Sequence, residues 1–275
     1  MELAHSVADL RKRLAREDSI VLVPTMGNLH AGHIALVEKA RDHGQCVAVS
    51  IFVNRLQFEP GGDFDRYPRT LESDCEKLAR ARCDVVFAPD EREMYPAPQE
   101  IVLSPPRVAH TLEGEYRAGH FQGVVTVVAK LLNIVRPHVA IFGKKDYQQL
   151  MVLRELVRQL NFGIRVEPGE TVREADGLAM SSRNGYLTPE ERREAVRLSQ
   201  VLRSVRDAVA GGRRDFAELD KAAKEELASH GWRPDYVAVR RRADLAVPGA
   251  DDRELVTLGA AWLGRTRLID NLEIG

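Results

Sequence analysis

Along the first 170 positions the apolar residues fall into short unbroken runs, and each run is followed by a stretch with helical spacing of its apolar positions. Residues 6–17 carry the helical pattern, with Ser6 and Asp9 at capping-box-like spacing, and Ile20-Val21-Leu22-Val23-Pro24 reads as a short buried strand. The alternation continues with a strand over 46–53, a helix over 70–81, a strand over 84–88, a helix over 121–135, a strand over 138–142, a helix over 146–160 and a strand over 164–168. Strands that are apolar on both faces and separated by helices predict a parallel sheet covered on both sides.

The stretch from Val172 to Pro189 carries Gly177, Gly185, two serines and several charges, which predicts a junction. Beyond it the pattern changes. Two charged helices, about 189–210 and 214–229, precede strand-like runs at 235–240, 254–262 and 266–270. The fold class that follows is α/β: a Rossmann-like doubly wound parallel sheet over residues 1–172, then a smaller C-terminal α+β domain over 173–275. In an open parallel sheet ligands sit beyond the carboxyl ends of the strands, so the loops after the strands are where chemistry is expected.

Composition narrows the classes of function. Forty basic against 41 acidic side chains leave a formal charge of −1, so no global field attracts nucleic acid or an anionic membrane. No leader pattern opens the chain at Met1-Glu2-Leu3-Ala4-His5-Ser6 and no apolar run is long enough to span a bilayer, which predicts a cytoplasmic, non-membrane protein. Cys46, Cys75 and Cys83 are odd in number and lack C-x-x-C spacing, against a disulfide framework or a zinc cluster; Cys46 is expected in a buried strand.

The first strand runs straight into Met26-Gly27-Asn28-Leu29-His30-Ala31-Gly32-His33, within which the next helix starts. Gly27 and Gly32 allow close backbone approach, the free N–H groups of a helix start attract anions, and two histidines three apart add donors on one helix face, a combination that suits a nucleoside triphosphate. The H-x-G-H spacing points to adenylyl transfer, and the G-K-[ST] of a P-loop is absent. Helix capping and zinc binding are the competing readings, the latter lacking a third ligand nearby. After the second strand, Asn54 and Gln57 can hydrogen-bond a small polar substrate or merely satisfy loop backbone. After the strand at 138–142, Gly143-Lys144-Lys145-Asp146 brings cationic charge to a loop where phosphoryl oxygens gain charge, with a capped, solvated helix start as the alternative. Met180-Ser181-Ser182-Arg183-Asn184 is either a clamp for leaving pyrophosphate or a polar linker.

With these pieces in this order the chain resembles the pantothenate synthetase family. The resemblance rests on P-T-M-G-N-L-H-A-G-H (24–33), S-I-F-V-N-R-L-Q-F (50–58), Y-P-R-T (67–70), F-A-P (87–89), L-E-G (112–114), G-H-F-Q-G-V-V-T-V-V-A-K-L (119–131), F-G-K-K-D-Y-Q-Q-L (142–150), D-G-L-A-M-S-S-R-N (176–184) and A-A-W-L-G-x-x-R-L-I-D-N (260–271), and so spans nearly the whole chain. It implies adenylation of pantoate by ATP with Mg²⁺, then attack by β-alanine, in a homodimer whose C-terminal domain acts as a lid. Carried over by position, it implies ATP binding by Met26, Gly27, Asn28, Leu29, His30, Ala31, Gly32, His33, Gly143, Lys144, Lys145, Asp146, Val172, Met180, Ser181, Ser182 and Arg183. His33 would be the proton donor, with His30 and Lys145 completing the catalytic set; Gln57 would contact pantoate and β-alanine, and Gln149 pantoate. Three positions depart from the family pattern: Arg55 stands where a proline is usual, Lys144 where a glutamate is usual, and Ala31 where an acidic residue is frequent. A charge at Arg55 is expected beside the pantoate pocket. A nucleotidyltransferase for a phosphorylated acceptor would need further cations, and a non-catalytic ATP sensor would have no use for His30, His33, Lys145 and Arg183 together.

Overall fold

In the computed structural model, which describes residues 1–59, 61 and 64–275, β-branched and small apolar residues build a six-stranded, wholly parallel sheet. In chain order the elements begin with β1 (Glu2–Ala4), α1 (Val7–Leu14), β2 (Ile20–Thr25), α2 (Ala31–Ala40), β3 (Cys46–Ile51), α3 (Leu71–Arg80), β4 (Val85–Phe87), α4 (Glu91–Met94), α5 (Glu113–Tyr116), α6 (His120–Val135), β5 (Val139–Gly143), α7 (Tyr147–Gln159) and β6 (Arg165–Gly169). The strand order is β1-β4-β3-β2-β5-β6. Successive strand residues face opposite sides. Leu22, Ala48, Phe87 and Ala140 join a core with Leu10, Val124, Val128, Leu132, Leu150 and Leu153, whereas Val21, Val23, Val47, Val49, Val86 and Ile141 join a second core with Leu36, Val37 and Leu78. Helices α1, α6 and α7 therefore cover one face and α2 and α3 the other, the doubly wound arrangement.

From β2 the chain steps through β3 to β4 in one direction, and β5 and β6 lie on the other side of β2. The switch point is thus between β2 and β5, where the connections leave in opposite directions and a crevice opens. Pro24 is tolerated in this central strand because β5 pairs with β2 only at Val21 and Leu22.

The later elements are α8 (Pro189–Glu194), α9 (Val196–Ala210), α10 (Phe216–Ser229), β7 (Arg233–Arg241), β8 (Leu255–Leu263) and β9 (Thr266–Ile274). Strands β7, β8 and β9 form an antiparallel meander packed with α9 and α10 around Leu198, Leu202, Leu227, Val239 and Leu255. By contact the chain divides into two compact units, 1–144 with 149–170, and 145–148 with 171–275.

Several sequence expectations change in detail. The helix expected over 6–17 stops at Leu14, and the return arm of its cap runs between the Ser6 hydroxyl and the Asp9 carboxylate (2.7 Å). The strand expected over 46–53 ends at Ile51, because Asn54 turns the chain into a tight 3-10 turn at Arg55–Gln57. The helix expected over 189–210 is interrupted at Ala195, which keeps helical dihedrals (φ −56°, ψ −24°). The edge strand β1 has three residues, too few for a periodicity to register.

Candidate active site

Three loops at the carboxyl ends of β2, β3 and β5 carry the assigned residues of the first unit. The turn after β2 needs left-handed backbone at Gly27 (φ +81°) and Asn28 (φ +50°). A Cβ on Gly27 would sit 3.0 Å from Ile51 Cγ2 and 3.1 Å from Asp74 Oδ2, a tight fit that adds to the conformational preference for glycine. The turn is held from behind: Asn28 N donates to Asp74 Oδ2 and Leu29 N to Asp74 Oδ1, both at 2.8 Å, and Thr70 Oγ1 donates to Asp74 Oδ2 at 3.0 Å. Asp74 is fully buried, and Lys77 Nζ, 3.9 Å from its carboxylate, donates to Leu29 O at 2.8 Å. Sequence reasoning missed this pair, since an acidic residue in a first helical turn and a lysine three later read as ordinary helix electrostatics.

His30 is the N-cap of α2 and precedes the helix, a correction to the expectation of two histidines on one helix face. Its Nδ1 accepts from Gly32 N (3.2 Å), while His33 Nδ1 accepts from His30 N (3.3 Å), a capping box made of two imidazoles whose centroids are 4.0 Å apart. Capping and ligand binding are therefore not alternatives. A ring nitrogen that accepts a backbone N–H carries no proton, so each imidazole holds its proton on Nε2 as a directed donor.

The 3-10 turn at Arg55–Gln57 is seated on α6. A Cβ at Gly123 would lie 2.2 Å from Leu56 O, so glycine is needed there for close approach. Buried Asn54 donates from Nδ2 to Gln57 Oε1 (3.0 Å) and Gly123 O (3.2 Å), and accepts at Oδ1 from Tyr95 Oη (2.8 Å). Burial raises the Tyr95 phenol above its ordinary pKa and keeps it a donor. His120 Nδ1 donates to Gln57 O (2.9 Å), which accounts for the G-H-F-Q-G motif. Gln57 Nε2 reaches Met26 Sδ (3.2 Å), so the structure brings these two assigned residues together. Arg55 points elsewhere: its Nε pairs with Glu91 Oε1 at 3.0 Å and its guanidinium lies 3.9 Å over the Phe64 ring. The charge expected beside the substrate residues is taken up at the surface.

At the end of β5, Gly143 and Lys144 belong to the first unit, and Lys144 Nζ pairs with Glu170 Oε1 at 2.7 Å. Gln149 is half-buried on α7. Lys145 and exposed Asp146 belong to the second unit with the remaining assigned residues. There the junction is a hairpin: Met180 N donates to Val172 O (3.0 Å) and Arg173 bridges Ala179, bringing Val172 and Met180 together. Ser181 caps a 3-10 turn over Ser182–Tyr186, accepting from Arg183 N (3.3 Å). Lys145, Ser181, Arg183, Asn184 and Asp270 line one small cleft. The assigned residues thus form two sets: donors on a helix start with neutral amides and Lys144 in the first unit, and Lys145, Arg183, two hydroxyls and Asp146 among those of the second. Such groups are suited to binding a triphosphate and stabilising its departing charge. Among the described residues no three His, Cys, Asp or Glu side chains gather to hold a metal ion.

The comparisons with known proteins agree along the whole chain. A family model described as Pantoate-beta-alanine ligase matches residues 2–273. The pantothenate synthetase of Nitrosospira multiformis is 56% identical over 274 residues, covering 100% of this chain and 98% of that protein. That of Thiobacillus denitrificans is 55% identical over 275 residues, covering 100% and 97%. Among solved structures, pantothenate synthetase from Thermus thermophilus matches with a TM-score of 0.95 at 45% identity over 99% of both chains. The pantoate–β-alanine ligase of Francisella tularensis, solved in complex with β-γ ATP and β-alanine, matches with a TM-score of 0.85 at 32% identity over 99% of this chain and 97% of that one.

Proposed function

The chain belongs to the pantoate–β-alanine ligase family and condenses pantoate with β-alanine at the expense of ATP, and on that premise we propose how its own residues divide the work. A carboxylate is a poor acylating agent because oxide is a poor leaving group. In the first half-reaction a pantoate carboxylate oxygen attacks the α-phosphorus of ATP, and the bond to the bridging oxygen of the β-phosphate breaks, giving pantoyl adenylate and pyrophosphate. In the second, the β-alanine nitrogen attacks the acyl carbon, the bond to the phosphate oxygen breaks, the amine loses a proton, and AMP leaves.

The observation that carries the assignment is the imidazole capping box. It fixes both Nε2–H groups of His30 and His33 as donors at a helix N-terminus whose own N–H groups attract phosphate. His33 is the proton donor to the phosphate chain, and His30 and Lys145 compensate charge on the departing pyrophosphate. Met26, Gly27, Asn28, Leu29, Ala31, Gly32, Gly143, Lys144, Asp146, Val172, Met180, Ser181, Ser182 and Arg183 complete the nucleotide site. Gln57, oriented by Asn54, receives pantoate and β-alanine, and Gln149 receives pantoate. Mg²⁺ would enter on the phosphates of ATP.

Residues 173–275 act as a lid that keeps water from the adenylate. The working form is a homodimer in the cytoplasm. No helix of the described residues is long and apolar enough to cross a membrane.

The test is pantoate-dependent pyrophosphate release followed by AMP and pantothenate formation on adding β-alanine, with His33→Ala alongside. Loss of about 100- to 1000-fold in the first half-reaction is the expected effect of removing one such donor. Release that is independent of pantoate, or unimpaired in the variant, would overturn the assignment of the site.

A further inference from the structure

The R-L-I-D-N segment at 267–271 closes the last of the chain's motifs, yet none of its residues enters the chemistry above. Its contacts lie on two sides of β9. On one side, Asn271 Nδ2 donates to the backbone oxygen of Lys145 at 2.9 Å, and two residues further Glu273 Oε1 accepts from Tyr147 Oη at 3.0 Å. Positions 271 and 273 share one face of a strand, so β9 grips the segment carrying Lys145 at two successive points. Arg242 Nη2, 3.4 Å from Glu273 Oε1, holds that second grip in place.

On the other side, the Asp270 carboxylate takes Arg173 in a two-pronged pair, Nη1–Oδ2 at 2.7 Å and Nη2–Oδ1 at 2.9 Å. Arg173 also donates to Asn271 O (3.1 Å) and to Gly177 O (3.1 Å). Gly177 is the turn of the hairpin whose arms end at Val172 and Met180. Asp270 is 4% exposed and Asn271 6%, so neither pairing is diluted by solvent. Asn271 N further donates to Asp270 Oδ1 at 2.7 Å, which ties the two anchors into one unit.

We propose that Asp270 and Asn271 are positioning residues for the adenylation half-reaction, fixing the spacing between Lys145 and the Met180–Arg183 loop from one common strand. The physical argument is that charge stabilisation of a transferring phosphoryl group falls steeply with displacement of the donors, and that two loops tied to one strand cannot drift independently. This inference rests on the ligase reading and assigns residues that touch neither substrate. Asp270 lines the cleft shared by Lys145, Ser181 and Arg183, but its carboxylate is occupied by Arg173.

The experiment is a double-mutant cycle on Asn271→Ala and Lys145→Ala in the full chain, read by pantoate-dependent exchange of labelled pyrophosphate into ATP. Alone, Asn271→Ala is expected to lower the exchange kcat by about 10- to 100-fold. In the Lys145→Ala background the same change should cost no more than about twofold, because the group it positions is gone. Turnover of preformed pantoyl adenylate with β-alanine should stay within about twofold in Asn271→Ala, which a general loss of structure would not allow. If Asn271→Ala does not fold, Asn271→Ser carries the same cycle, its hydroxyl falling short of Lys145 O. Wild-type chain without pantoate-dependent exchange would remove the ligase reading itself. Wild-type exchange with additive losses from Asn271 and Lys145 would remove only the positioning role.

Discussion

The two sets of assigned residues are held in contrasting ways. The turn after β2 is anchored by backbone: Asn28 N and Leu29 N sit on one buried carboxylate, and the helix start is capped by its own imidazoles. Lys145 and the 172–180 hairpin are anchored by side chains, through Asn271 and the Arg173–Asp270 pair on a strand distant in sequence. The first device joins one buried carboxylate, 45 residues away in the chain, to a helix cap built from adjacent residues. The second depends on a three-stranded meander being intact, so its geometry follows whatever that small sheet does. A binding surface made of donors gains from rigidity, whereas groups that close on a leaving group have to form and release contacts in every turnover.

The largest effect that would break this contrast is at Asp74. Asp74→Ala leaves two backbone N–H groups buried without acceptors and should cost about 2–5 kcal/mol of stability. The ATP KM should rise with the β-alanine KM unchanged, as denaturant unfolding and initial rates would show; a stable variant with normal ATP KM would mean that the turn holds itself.

A smaller effect tests the second unit. Burial pushes the Asp220 carboxyl up to about 7, while its Oδ1 accepts from Val239 N at 3.1 Å on the outer strand of the meander. Arg240 and Lys224 oppose that rise without cancelling it. Between the ordinary carboxylate range and about 7 the folded chain holds a proton that the unfolded chain has released. Its contribution to stability is therefore complete in acid and declines as pH rises toward 7. Asp220→Asn keeps the acceptor and removes the charge, so it should stabilise the second unit by about 1–2 kcal/mol at pH 8 and leave it unchanged near pH 4. Equal stabilisation at both pH values would place the effect elsewhere.

The smallest effect is at Arg55. Its pair with Glu91 is half exposed on both partners, and Asn54 is already extended (φ −85°, ψ 107°), as a residue before proline must be. Arg55→Pro should change stability by under about 1 kcal/mol, with the pantoate KM within about twofold of wild type. A larger rise in KM would assign the guanidinium to the substrate site.

The division between periodic and non-periodic information explains how much was legible beforehand. Val21, Val47, Val86 and Ile141 belong to unbroken apolar runs, and such runs fill a sheet covered on both faces, so the parallel sheet and its flanking helices could be read directly. The meander was legible too, although β7 and β9 run longer than their apolar patterns suggested, β9 reaching Ile274. Asp74 and the Asp270–Asn271 pair were not legible, because nothing in a local pattern marks a carboxylate that serves backbone 45 residues away or an amide that serves a carbonyl 126 residues away. Likewise His30 and His33 announced donors, while the backbone N–H groups that fix them as Nε2–H tautomers depend on where α2 begins.

By itself, then, the order of residues determined the class of fold, the family and the reaction, since these follow from periodicity and from motifs that are contiguous along the chain. Tertiary structure alone decided that Arg55 turns to Glu91, that Gly123 seats the Gln57 turn, and that β9 anchors Lys145. The physical reason is one of range: hydrophobic burial acts on patterns a few residues long, whereas a hydrogen bond needs two atoms about 3 Å apart, a condition only the folded chain imposes on distant residues.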